Sequence, residues 1–335
     1  MELFDRHAKR RAIKAFSGVH GAAFAYLIIG TALVYIAQIV TLFLVGYDKL
    51  VELSSNPYYI WGLQVGAMYL IAFPLILLMV RKLPSANRRE GDMSLKEFGY
   101  IFLVSEAIMI AGAIFSNWLT SIISAILGYE IPDTTSEIIS NTPIWLIILI
   151  VVIIGPVVEE MIFRKVFIDK LSVYGDRLAI VSSAIAFGFF HGNLYQLFYA
   201  TALGLVLGYV YTKTRRSIYN CLLHMAVNFM GTVPALIAQE SLDRLNATDP
   251  NAILEGQLLN DYYIVMGVTL IQYGLAIAGL VVFIVAVSKH SFTVPNECDI
   301  EIPPINRFRV TFFNIGTISF FVFCLLQCMA SLFLV

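Results

Sequence analysis
The chain has 335 residues, of which 59% are hydrophobic and 13% charged. A soluble domain carries about 25% charged residues, so this composition excludes one and points to a polytopic membrane protein. The formal net charge of −1 gives no reason to expect a nucleic-acid partner; where the charges sit matters more than their sum.

A spanning helix needs about 20 mostly apolar residues. In chain order the sequence predicts about nine: 21–46, 57–80, 98–127, 143–163 or longer, 178–192, 195–212, 217–239, 261–287 and 310–335. The first is too long for a signal-peptide core and is expected to be a retained helix. The fifth and sixth are short and adjacent, which predicts a tight helical hairpin. With the N-terminus in the cytoplasm and alternating sides, 20 of the 22 Lys and Arg residues fall inside, leaving Lys49 and Arg244 outside. The two longer external loops are acidic, with Glu130, Asp133 and Glu137 in one and Asp243, Asp249 and Glu255 in the other. Nine helices would put the C-terminus outside. Cys221, Cys324 and Cys328 fall in predicted helices and Cys298 in a cytoplasmic loop, so no disulfide framework is expected.

An ionisable side chain in lipid is expensive unless partnered, and so marks a functional hypothesis. Glu106 lies in the third helix, Glu159, Glu160 and Arg164 in the fourth, His191 at the end of the fifth, and His224 and Asn228 in the seventh. At the helical rise, His191, His224, Asn228 and Glu106 all lie roughly 12–20 Å from the basic boundaries of their helices. Glu159 matches them, at about 16 Å, only if its helix runs past Arg164 to Lys170. Glu160 and Arg164 are i, i+4 and share a face, while Glu159 is turned about 100° away. Gly155 and Pro156 precede them by one turn, where proline removes a backbone hydrogen bond. His224 and Asn228 are also i, i+4, as are Phe187 and His191. A carboxylate and imidazole can activate water, and imidazole and carboxamide donors can hold an oxyanion. The residues alone therefore permit a water-using peptidase, and equally a proton-coupled carrier.

The three motifs EExxxR (Glu159, Glu160, Arg164), FxxxH (Phe187, His191) and HxxxN (His224, Asn228), in this order on separate helices, resemble the CAAX prenyl protease type 2 and bacteriocin-processing family, also called CPBP or Abi. The resemblance covers roughly residues 140–235. It implies an all-α membrane fold with an intramembrane protease core over 140–240. The match does not need the three accessory helices in 1–139 or the two further helices in 241–335. It implies an endopeptidase acting on a membrane-associated peptide or protein. Glu159 would be general base with His191, His224 and Asn228 the oxyanion hole, and Glu160 and Arg164 the groups that order the site. No cofactor is expected. Zinc is the minority alternative, since Glu plus two His is an acceptable ligand set. The site is expected in the inner half of the bilayer, open to the cytoplasmic or lipid side. A non-proteolytic immunity factor or scaffold, or a proton-linked carrier, is the rival reading.

Overall fold
The computed structural model describes residues 5–247, 257–289, 293 and 297–333. Among them the regular elements are helices, with no β-strand. Nine principal helices follow the chain: α1 (Arg6–Val45), α2 (Pro57–Val80), α3 (Leu95–Leu127), α4 (Ile144–Tyr174), α5 (Asp176–Phe190), α6 (Leu194–Thr214), α7 (Ser217–Asn246), α8 (Gln257–Ser288) and α9 (Ile315–Phe333). Eight are long and apolar enough to cross a bilayer. The exception, α5, has 15 residues, roughly 22 Å at the helical rise. Leu70, Phe43, Leu270 and Ile277 are among many apolar side chains left exposed, as expected of a surface that faces lipid. Asp249 and Glu255 of the expected acidic loop lie outside the described residues.

The first helix starts earlier than its apolar run. Asp5 accepts from the backbone N–H of Ala8 at 2.7 Å, and the basic residues expected before the helix occupy its first turns instead. The reason is a helical-period stripe, Ala8, Ala12, Ala15, Phe16 and Val19, each at most 1% exposed, which packs these turns onto the protein.

The expected hairpin forms between α5 and α6. Gly192 turns the chain at φ +64°, a conformation that favours glycine. Asn193 then caps α6 by accepting from Gln196 N–H at 2.9 Å. The two helices touch through small residues: a Cβ on Gly204 would stand 2.9 Å from Ala184 Cα, and one on Gly188 2.6 Å from Leu197 O. Close backbone approach of this kind is how helices associate in lipid.

Helix α4 runs well beyond Arg164, the condition that brings Glu159 to mid-helix. It carries π-helical stretches at Ile148–Ile154 and Met161–Ile168, with Gly155–Glu160 between them. In α2, the stretch Val65–Ala72 likewise precedes a proline, Pro74. Both prolines are absorbed by widening the turn before them rather than by breaking the helix.

One face is tied together by charge. Arg215 donates to Asp176 at 2.5 Å and to Ser172 Oγ at 3.3 Å. Arg88 donates to Asp299 at 2.8 Å, and Lys170 to the Leu83 carbonyl at 2.9 Å. Arg216 pairs with Asp92 and Glu90, and Lys213 with Glu97. The opposite face carries Glu130, Asp133, Glu137 and Asp243 on or beside the short helix Thr134–Ser140 and the end of α7.

Candidate active site
The two adjacent glutamates have different surroundings. Glu160 is fully buried: one oxygen lies 3.0 Å from Arg164 Nε, and the other accepts from His224 Nδ1 at 2.9 Å. Arg164 is fully buried too. Its guanidinium lies over the Phe187 ring at 5.0 Å and reaches Ser183 Oγ at 3.4 Å. Ser183 in turn donates to the Phe163 carbonyl at 2.6 Å. Glu159, turned away as its register requires, has a side chain 21% exposed and opens into a cavity. Its Oε2 is 3.7 Å from His224 Nε2.

The cavity, of about 800 Å³, is lined by Glu159, His191, His224 and Asn228 together. His191 follows the last residue of α5 and gives Nδ1–H to the Phe187 carbonyl at 2.8 Å. That bond leaves the neutral ring with a bare Nε2. Phe187, 1% exposed, meets both imidazoles edge-on, with centroids 5.0 Å from His191 and 5.7 Å from His224. The FxxxH phenylalanine thus sits at the centre of the cluster, between Arg164 and the two histidines.

Asn228 is oriented by a defect in α4. Gly155 N–H bonds Ile150 O, five residues back, and Pro156 has no N–H to give. The Val151 carbonyl is left for another donor, and Asn228 Nδ2 supplies it at 2.9 Å. The Gly-Pro pair that the sequence marks as a bend therefore exposes a carbonyl that seats a site residue on a different helix.

All six expected residues come together here: Glu159, His191, His224 and Asn228 on the cavity, Glu160 and Arg164 behind it. Glu106 does not join them. It is 4% exposed, its Oε1 has no hydrogen-bond partner, and it does not line the cavity. Sequence reasoning missed Ser183, Tyr69 and the Val151 carbonyl. Tyr69 lines the cavity from α2, and nothing in its local sequence sets it apart from other aromatic residues in apolar runs. Among the described residues no three His, Cys, Asp or Glu side chains are grouped to hold a metal ion. Glu160 is already engaged by Arg164 and His224, which leaves Glu159, His191 and His224 as the one-Glu, two-His set on the cavity.

The cavity runs toward the acidic face. From Glu159 the cavity wall continues through Asn117, Thr232 and Gln239 to Asp133, Glu137 and Asp243, which lie on the acidic face. Toward the basic face Ile162, Phe163, Phe167, Leu207 and Leu223 are at most 1% exposed and fill the interior.

Residues 141–230 match the family model described as "Type II CAAX prenyl endopeptidase Rce1-like". The resemblance to the CPBP, or Abi, family is borne out. The chain is 24% identical to "Putative membrane peptidase YdiL" of Bacillus subtilis over 65% of this chain and 90% of that protein. It is 27% identical to "Membrane-embedded CAAX protease MroQ" of Staphylococcus aureus over 53% of this chain and 75% of that one. No solved structure matches the chain. These similarities support membrane protease activity, and the CPBP-like segment takes in every residue of the cluster, from Glu159 to Asn228.

Proposed function
We propose that the protein is an intramembrane endopeptidase with its N-terminus in the cytoplasm, cutting a peptide bond of a membrane-associated peptide or protein in CAAX-type or leader-type processing. The observation that carries this reading is the division between the glutamates. Glu160 is held by Arg164 and His224, and Glu159 is open to a cavity that His191 and His224 also line.

In this mechanism Glu159 takes a proton from a water whose other hydrogen is held by the bare Nε2 of His191. The water oxygen attacks the carbonyl carbon, and the C=O electrons move onto oxygen. Asn228, with one Nδ2 hydrogen on the Val151 carbonyl, offers the other to that oxyanion. His224, seated against Glu160 through Nδ1, turns Nε2 toward the same oxyanion. Glu159 then passes its proton to the leaving nitrogen as the C–N bond breaks. No metal is required by this sequence of steps.

The test compares membrane-protein and peptide fragments in cells carrying wild type or Glu159→Ala. Loss of the fragments with unchanged protein level is expected. Persistence of the same fragments would remove Glu159 from the chemistry and return the carrier and scaffold readings.

A further inference from the structure
The cavity's shape bears on which peptides reach the site. Its lining contains four carboxylates, Glu159 at depth and Asp133, Glu137 and Asp243 at the mouth, and no Lys or Arg among the described residues. Arg244, the basic side chain nearest the mouth in sequence, is engaged by Asp261 at 2.6 Å and Glu240 at 2.8 Å. Asp133 is committed to capping Ser136 at 3.1 Å, and Asp243 accepts from Gln239 at 2.8 Å; Glu137 is exposed. At the deep end His224 is 3% exposed. Its Nε2 has no hydrogen-bond partner, the nearest carboxylate oxygen being Glu159 Oε2 at 3.7 Å. That Nε2 is the one turned to the oxyanion above, so the deep end of the cavity is where the carbonyl to be cut would sit.

Two helices give the depth independently. From Ile144 to Glu159 along α4, and from Asn228 to Asp243 along α7, the helical rise gives roughly 22 Å each. An extended chain covers that in about six or seven residues.

Resting on the peptidase reading above, we propose that the peptide reaches Glu159 from the acidic face. It passes between the helix Thr134–Ser140 and the end of α7. This mouth selects an extended segment with a basic residue about six or seven positions from the bond to be cut. The packed layer of Phe163, Phe167, Leu207 and Leu223, with the Arg215–Asp176 pair beyond it, closes the other side.

Two measurements on the full-length protein test this. In the first, Thr232→Cys within the cavity is treated with a membrane-impermeant thiol reagent in sealed vesicles. Exposed Glu130→Cys and Arg89→Cys serve as markers of the two faces, all in a Cys298→Ser background. Labelling of Thr232→Cys from the Glu130 side alone is expected. Labelling from the Arg89 side, alone or as well, or from neither, overturns the proposal. This readout needs no cleavage, so it stands or falls separately from the role of Glu159. In the second, Glu159→Gln protein in nanodiscs is titrated with a labelled peptide of two lysines followed by eight alanine and leucine residues. The same peptide with two glutamates in place of the lysines is the comparison. The lysine peptide is expected to bind about tenfold tighter at low salt, and Glu137→Lys with Asp243→Lys to reverse the order. Equal binding of the two peptides, or a preference that survives the double reversal, overturns the selectivity.

Discussion

Replacing Arg164 by methionine removes the positive charge from a cluster with no solvent to compensate it. Glu160 and Arg164 are each 0% exposed and 3.0 Å apart, so the substitution leaves a carboxylate in the interior with His224 and Asn220 but no guanidinium to balance it. Breaking a buried pair from one side costs about 3–5 kcal/mol, far above the roughly 0–1 kcal/mol of an exposed pair. The contact of the guanidinium with Phe187 at 5.0 Å is lost as well, while methionine recovers part of the packing. The net expectation is a loss of about 4 kcal/mol. The pair itself is worth less than that, because Arg164 Nη2 has no hydrogen-bond partner and both ions have been stripped of water. Removing both charges in Glu160→Gln with Arg164→Met should therefore cost less than the two single changes added, by about 1–3 kcal/mol. Reversible unfolding in mixed micelles of rising denaturing-detergent fraction, followed by circular dichroism, measures all four proteins. An Arg164→Met loss below about 1 kcal/mol, or strict additivity in the cycle, would refute the claim that this pair braces the site.

Asn228→Ala removes an oxyanion donor and should lower kcat about 10²–10³-fold with little change in KM, measured on any peptide the wild type cleaves. Pro156→Ala restores an N–H that can compete for the Val151 carbonyl. Activity should fall while stability holds or rises, since a helix-interior proline is removed; unchanged activity would show that Asn228 does not depend on that carbonyl. Treating the purified enzyme with a strong zinc chelator should leave cleavage unchanged, and a loss restored by zinc would replace the metal-free mechanism with a metal-assisted one.

Much of the site was legible in sequence because its motifs are local. Glu160 and Arg164 meet at i, i+4, and the same geometry turns Glu159 away. Charges are so costly in lipid that each one inside a helix stands out. The hairpin of α5 and α6 was readable from two short apolar segments lying next to each other. The early start of α1 was not, because its first turns are polar on one side. Only the buried stripe from Ala8 to Val19, paired with distant helices, holds them in the fold.

By itself the sequence determined the membrane class, the helices and the residues that could carry chemistry, since those follow from hydropathy and helical period. Tertiary structure decided what those residues face. The pairing of His224 Nδ1 with Glu160 and the seat of Asn228 on Val151 depend on how α4 and α7 pack. No periodicity within one helix encodes that contact. The direction of the opening was likewise beyond the sequence. It is set by phenylalanines and leucines from several helices that fill one half of the interior, and by a short helix that leaves the other half open. Which half is filled is a property of packed volumes, visible only once the helices are side by side.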